Sequence, residues 1–153
     1  AALSRRRLRV RVSSGSPFIL DMSSEIVIII FNLLIVGIIF THLILTTPVI
    51  FKTLDENASS EFLRTIFPRY YLLIFLLSLP PVGILYFQDL VLSWWLGLNL
   101  SLHALAGLIA IPLTNAARDR GWDRMFSFLH GFSVYCTVVI LALGFIQFFI
   151  TIN

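Results

Sequence analysis

The densest group of ionisable residues in this 153-residue chain lies between residues 115 and 130 and surrounds a glycine turn. It consists of Arg118, Asp119, Arg120, Asp123, Arg124 and His130. Opposite charges at this spacing can pair with one another, and the planar guanidinium suits two-pronged pairing with a carboxylate. We predict a polar anchor here that joins two helices, with help from the first polar connection. Docking of an anionic lipid headgroup or a partner protein is the alternative.

His42 and His103 are the only histidine or charged side chains deep within apolar sequence. Such imidazoles can ligate haem or chlorophyll, but a lone histidine in a span more often hydrogen-bonds a neighbouring helix. Measured from the polar ends of their spans, their depths differ by roughly 8 Å at about 1.5 Å per residue. That difference favours two separate sites over one bis-histidine haem. We expect packing or hydrogen bonding, and keep haem, chlorophyll or carotenoid binding as the minority hypothesis.

Enzyme motifs are absent from the sequence. It contains no metal-ligand spacing, no nucleophile elbow and no phosphate-cradling glycine loop. Its single cysteine, Cys136, cannot form an internal disulfide. We therefore expect no enzymatic activity and no metal site, and membrane lipid as the main bound molecule. The net charge of +3 derives largely from the first residues, so it does not indicate nucleic-acid binding.

Four long apolar blocks must position these side chains, and none of them contains Lys, Arg, Asp or Glu. The chain is 58% hydrophobic and 12% charged, whereas a soluble domain carries about a quarter charged residues. A helix crosses the bilayer hydrocarbon with roughly 20 apolar residues. The sequence therefore predicts an all-α, polytopic membrane protein, a four-helix bundle with spans near 24–47, 69–88, 90–113 and 126–151.

Prolines and caps predict where these helices end. In the first polar connection, apolar residues recur at helical spacing, Asn57 can cap a helix, and Pro68 can stop it. This pattern predicts a short interfacial helix near 58–67. Pro48 should end or kink the first span, and Pro112 should close the third.

Two further features predict how the spans pack. Small residues at positions 97, 101, 104 and 107 form one face of the third span, on which another helix can pack closely. Only residues 88–89 separate the second and third spans, which predicts a tight antiparallel hairpin.

Residues 1–22 form a basic leader or tail, separate from a four-helix transmembrane domain at 23–153. Residues 1–20 contain five arginines, several serines and no acid. That composition is typical of an organellar transit segment, and a solvated basic tail touching anionic lipid is the alternative. The first and third connections carry six positive residues, so we predict that both face the cytoplasm or stroma.

Four short motifs resemble those of a family of small membrane proteins. The first two read TPVIFKTL at residues 47–54 and IFPRYY at 66–71. The others read NAARD at 115–119 and LHGFSV at 129–134, with Phe126 between them. They are similar to a four-span group of unknown function that includes the transmembrane protein 205-like proteins. The resemblance covers roughly residues 24–150 and implies the fold, but no reaction, cofactor or catalytic residue.

Three classes of function are consistent with these observations. The favoured one is a non-enzymatic accessory or assembly subunit of a larger membrane complex, with a photosynthetic complex as the placement by analogy. The alternatives are a small transporter or channel, and a haem- or pigment-binding protein that uses His42 and His103. The expected partners are membrane lipids and other membrane subunits. The expected locations are the plastid thylakoid and the bacterial inner membrane.

Overall fold

The computed structural model describes residues 17–88 and 90–152, with side chains from residue 23 onward. Helix α1 continues through a π-helical segment into α2, and three long helices follow. The elements are α1 Pro17–Thr41, the π segment His42–Thr46, α2 Thr47–Thr53, α3 Glu56–Phe87, α4 Val91–Asp119 and α5 Asp123–Ile152. Four stretches are long and apolar enough to cross a membrane, the first being Ser23–Thr53. The predicted all-α, four-span bundle is confirmed.

The spans form a ring in which each helix packs against two neighbours. Helices α3 and α5 each contact both α1 and α4. The short connections make successive spans antiparallel, so residues 52–64 and 115–124 lie at one end, here called the charged end. Inside the ring lies an apolar core that includes Ile35, Ile39, Tyr71, Ile74, Leu100, Ala104, Cys136 and Ile140.

Two prolines that were predicted to stop helices lie inside them instead. Pro68 is within α3 and Pro112 is within α4. A proline removes one backbone donor, whereas ending a helix near the membrane leaves several backbone groups without partners. The prediction of a separate interfacial helix near 58–67 is therefore wrong, because this segment forms the first turns of α3.

Asn57 was predicted to cap this helix, but the N-cap of α3 is Asp55. The Asp55 carboxylate accepts a hydrogen bond from the backbone N–H of Ala58 at 2.9 Å, the usual role of an N-cap acid. Helix α3 has 32 residues, so it is about 48 Å long at the standard rise. The hydrocarbon is only about 30 Å thick, and α3 consequently extends beyond it.

The irregularity predicted at Pro48 is a change of helical register in the preceding turn. The π-helical segment His42–Thr46 leads into α2, where Pro48 occupies the first turn. Two threonine hydroxyls in this region donate hydrogen bonds to backbone carbonyls five residues earlier in the chain. Thr47 donates to the carbonyl of His42 at 2.9 Å, and Thr46 donates to that of Thr41 at 3.4 Å. The first span continues in this way to Thr53.

The small-residue face of α4 packs against α3, as predicted. A Cβ atom at Gly97 would meet a valine side chain of α3 at 3.2 Å, and one at Gly107 would overlap the ring of Tyr71. The Ser101 hydroxyl donates to the hydroxyl of Ser78 at 2.7 Å. These small side chains let the two backbones approach closely.

Part of the predicted leader, residues 1–16, lies outside the described residues. From Pro17 onward the backbone is helical, so α1 begins within the segment that was assigned to the leader. In the hinge between the second and third spans, Asp89 also lies outside the described residues.

Candidate functional site

A cavity of about 670 Å³ lies among the four spans near the charged end. This volume falls within the range of about 300–1,000 Å³ that is usual for small-molecule sites. Every span contributes to its wall, which is largely apolar and aromatic. Lining residues include His42, Thr47, Phe67, Tyr70, Tyr71, Ile111, Thr114, Ser133, Val134 and Thr137.

The depth of the cavity follows from helical spacing. At the mouth lie Arg64, Arg118 and His130, and deeper lining residues occur seven positions further along each helix, at Tyr71, Ile111 and Thr137. Seven residues of helix correspond to about 10 Å. The cavity thus extends about 10 Å from the charged end towards the apolar core.

One ion pair joins α3 to α4 at the mouth. The Arg64 guanidinium donates from Nη1 to Oδ2 of Asp119 at 3.0 Å and from Nη2 to Oδ1 at 2.5 Å. Both side chains are partly exposed to solvent, so water and salt screen the attraction. The two-pronged geometry nevertheless fixes the relative position of the two helices at this end.

The predicted pairing within the charged turn does not form. Asp119 takes part in the only ion pair among the described residues, and its partner Arg64 comes from the first connection. The sequence predicted help from that connection, but not from Arg64 in particular. The continuation of α3 past Pro68 places Arg64 there.

The other residues of the predicted anchor interact with aromatic rings or face solvent. Arg118 lies 5.9 Å from the ring centroid of Phe126, on which His130 also stacks. Arg120 lies 4.9 Å from the ring centroid of Trp122. The two remaining members, Asp123 and Arg124, are exposed. Their role in docking stays a prediction.

His42 and Tyr70 line the cavity, and each has an enclosed polar atom without a hydrogen-bond partner among the described residues. Each residue is only 7% exposed, and their ring centroids are 4.9 Å apart. Neither Nε2 of His42 nor the hydroxyl of Tyr70 has a hydrogen-bond partner among the described residues. The Thr137 hydroxyl, which is 2.7 Å from that of Tyr71, also lies near the Tyr70 hydroxyl but outside hydrogen-bonding geometry. An unsatisfied buried group costs about 1–3 kcal/mol, so this pair is a candidate ligand contact.

Tyr71 has a structural role that was not predicted from the sequence. Its hydroxyl donates to the backbone carbonyl of Ser133 at 2.6 Å and lies 2.7 Å from Oγ1 of Thr137. These bonds link α3 to α5 across the ring of helices. The available signal was the tyrosine itself within an apolar block, because a buried tyrosine hydroxyl usually requires a partner.

His103 lies apart from this cavity. Its Nδ1 is 2.8 Å from the carbonyl of Asn99, and its ring centroid is 5.9 Å from that of Tyr135. The structure therefore does not bring His42 and His103 to one cavity wall. Haem or pigment binding at either histidine stays a prediction. Within the described part of the chain, no three His, Cys, Asp or Glu residues are grouped to hold a metal ion.

A second space, a groove of about 490 Å³, lies between α1 and α3. Exposed leucines at positions 33, 34 and 73 line it, and a Cβ atom at Gly37 would meet nothing within 4 Å. His42 and Tyr70 line both the groove and the cavity. They therefore form a partition between the outer face of the bundle and its interior.

Four apolar spans around a cavity at the charged end define a small polytopic membrane protein with an internal cavity. The chain belongs to the family described as domain of unknown function DUF4149, whose model matches residues 30–123. The matched region includes the Arg64–Asp119 pair, His42 and Tyr70, and ends at the start of α5. No curated protein and no solved structure matches the chain. The resemblance to the transmembrane protein 205-like proteins stays a prediction.

Proposed function

We propose that this protein is a non-enzymatic membrane protein that holds a lipid-like, amphipathic molecule between its four spans. The observation that carries the proposal is the cavity of about 670 Å³, whose wall is mainly apolar and whose mouth is charged. Within a bilayer no apolar surface is removed from water, so close packing against the wall favours binding of an apolar chain. An apolar chain can occupy such a space while its polar end lies at the mouth.

The charges at the mouth fit a polar headgroup in the interfacial layer. Arg64 and Arg118 line the mouth together with the acidic residue Glu56, and Asp119 pairs with Arg64. Both signs of charge are therefore present, which suits a zwitterionic or neutral polar headgroup at least as well as an anion. Since α3 extends beyond the hydrocarbon, these charges can remain hydrated.

Native mass spectrometry of the protein purified in mild detergent tests this function. We expect the wild-type protein to retain a lipid-like molecule, and Val134→Trp to lose it because the indole fills the cavity. Val91→Trp is the matched control, because Val91 is exposed and lies at the opposite end of the bundle. Equal retention by the two variants, or no retained molecule in the wild type, would contradict the proposal.

A second candidate is the accessory or assembly subunit of a larger membrane complex. Its support is three positions, one on each of α1, α3 and α5, that another helix could approach closely, because Cβ atoms at Gly37, Gly83 and Gly131 would meet nothing within 4 Å. The arginine-rich composition of residues 1–20 supports a plastid thylakoid, and a bacterial inner membrane is the alternative. Comigration with a large complex after gentle solubilisation of the native membrane is the expected result. Migration only at the size of the single chain would contradict it.

A further inference from the structure

We propose that His42 and Tyr70 form a hydrogen-bonding subsite for the carbonyl group of a flat, neutral, lipid-soluble molecule of the quinone class. The inference rests on the proposed function, because it names the chemistry that the cavity would recognise. Its basis is two buried polar atoms, on residues that line the cavity, that have no hydrogen-bond partner in the described structure.

Burial of these two polar atoms without hydrogen bonds costs free energy, which a ligand could recover by bonding to them. Nε2 of His42 and the hydroxyl of Tyr70 are enclosed without a hydrogen-bond partner in the described structure, and each residue is more than nine-tenths buried. A tyrosine hydroxyl is a hydrogen-bond donor, and a neutral imidazole nitrogen can donate when it carries the proton. A ligand carbonyl oxygen that reaches both atoms, once the two side chains have moved apart, could accept from both.

The surface around His42 and Tyr70 is aromatic. The His42 ring meets Phe67 edge to face at 5.1 Å, and the Tyr70 ring meets Tyr71 in the same way at 5.3 Å. Aromatic faces and edges favour contact with another flat ring. The shape and polarity of the site therefore suit a ring that carries a carbonyl better than a flexible acyl chain.

The nearby charged side chains do not supply a counter-ion to a ligand at His42 and Tyr70. Arg64 is paired with Asp119 at the mouth, six residues from Tyr70 and thus about 9 Å away along the helix. Arg69, which lines the groove, directs its guanidinium to the carbonyl of Thr65 at 3.4 Å, one turn nearer the charged end. A charged ligand at His42 and Tyr70 would lack a counter-ion, so the ligand is neutral.

A ligand can reach His42 and Tyr70 directly from the bilayer. The groove between α1 and α3 has exposed leucines along it and reaches His42 and Tyr70 from outside the bundle. A lipid-soluble molecule can arrive by this route without crossing the headgroup layer. Movement of the two side chains would join the groove to the cavity.

Binding of two matched probes to the full chain in detergent tests the inference. The probes are decylbenzoquinone and decylbenzene, which share the tail and a six-membered ring but differ in the carbonyl groups. We expect the wild type to bind the quinone more tightly. Tyr70→Phe should weaken that binding by about three- to tenfold, the range expected for one lost hydrogen bond, and leave decylbenzene unchanged. His42→Phe, which keeps an aromatic ring, should act in the same direction.

Tyr86→Phe is the matched control, because Tyr86 is exposed and lies at the opposite end of the bundle. It should leave both dissociation constants unchanged. Equal affinity of the wild type for the two probes, or an undiminished preference for the quinone in both Tyr70→Phe and His42→Phe, would overturn the inference. Retention of a native lipid would in that case still support the proposed function, whereas its loss as well would remove both.

Discussion

Two adjacent tyrosines of α3 show how much the environment of a single hydroxyl decides its role. Tyr71 donates to the Ser133 carbonyl and contacts the Thr137 hydroxyl, so its hydroxyl helps to hold α3 against α5. The hydroxyl of Tyr70 has no partner within the described structure. The first residue therefore stabilises the fold, and the second is available to a ligand.

Removal of these two hydroxyls should have different effects on stability. We expect Tyr71→Phe to lower the free energy of unfolding by about 0.5–1.5 kcal/mol, the usual net value of one hydrogen bond. Tyr70→Phe should leave the ligand-free protein as stable as the wild type or slightly more stable, because it removes an unpaired buried group. Unfolding in mixed micelles by added dodecyl sulfate measures both. A loss in Tyr70→Phe as large as that in Tyr71→Phe would count against the assignment.

The ion pair at the mouth leads to a second residue-level prediction. Asp119→Asn should lower the melting temperature in detergent, because it leaves Arg64 without its carboxylate partner. Asp123→Asn is the control, since Asp123 is exposed and makes no ion pair among the described residues. Exchange of the two charges in the double variant Arg64→Asp, Asp119→Arg should recover part of the loss. Equal melting temperatures for Asp119→Asn and Asp123→Asn would argue against a stabilising pair.

The sequence predicted Asp119 but not its partner, for a physical reason. A cluster of charges is visible as a local pattern, whereas Arg64 lies 55 residues away along the chain. Its position depends on whether α3 continues past Pro68. His42 was likewise recognised from its type and depth, but its unpaired Nε2 could be found only after the rings around it were placed.

At the level of elements, apolar length predicted the four spans because the bilayer fixes the length that a helix must have. The helix ends were predicted less well, because prolines and capping residues were assumed to act as they do in soluble proteins. In a membrane protein the loss of one backbone hydrogen bond at Pro68 or Pro112 is smaller than the cost of interrupting the helix. As a result, α3 and α4 extend further towards the charged end than predicted.

The contact between α3 and α4 leads to a third prediction, at Gly107. A Cβ atom there would overlap the Tyr71 ring, which is itself held by hydrogen bonds to α5. Gly107→Ala should therefore destabilise the protein by about 1–3 kcal/mol, the usual cost of overpacking. Gly131→Ala is the control, because a Cβ atom at Gly131 meets nothing within 4 Å. The dodecyl sulfate assay compares the two variants, and an equal response would mean that Tyr71 can move away freely.

At the level of the whole molecule, the cavity arises where the helices extend towards the charged end. All four spans contribute side chains to it, from positions between residues 42 and 138. No local pattern in the sequence marks such a site, because its lining becomes contiguous only when the helices form a ring. The small-residue face of α4 was predictable because all of its residues lie on one helix. The cavity was not predictable because its lining comes from four spans.

The orientation of the ring in the membrane is the last prediction. Five positive residues, Lys52, Arg64, Arg118, Arg120 and Arg124, lie at the charged end and Arg69 lies five residues beyond Arg64 in α3, whereas the opposite connection has no positive residue. Positive residues in short connections stay on the cytoplasmic side or its equivalent. Residues 5–11 contain five arginines, which the rule would count for the other side, but they come about 15 residues before the first predicted span, near the limit of the rule. We therefore expect the charged end, with the mouth of the cavity, to face the cytoplasm or stroma.

Labelling of single cysteines with an impermeant maleimide in sealed, right-side-out membranes measures this orientation. Asn57 and Gly121 are suitable positions because both are exposed at the charged end, whereas Ser59 is buried. Leu90→Cys, at the opposite end and 49% exposed, is the matched control. The native Cys136 is buried and should give little background. We expect Leu90→Cys to react in intact membranes, and Asn57→Cys and Gly121→Cys to react only after permeabilisation. The opposite pattern would place the mouth of the cavity on the outer side, and any amphiphile would then reach it from that leaflet.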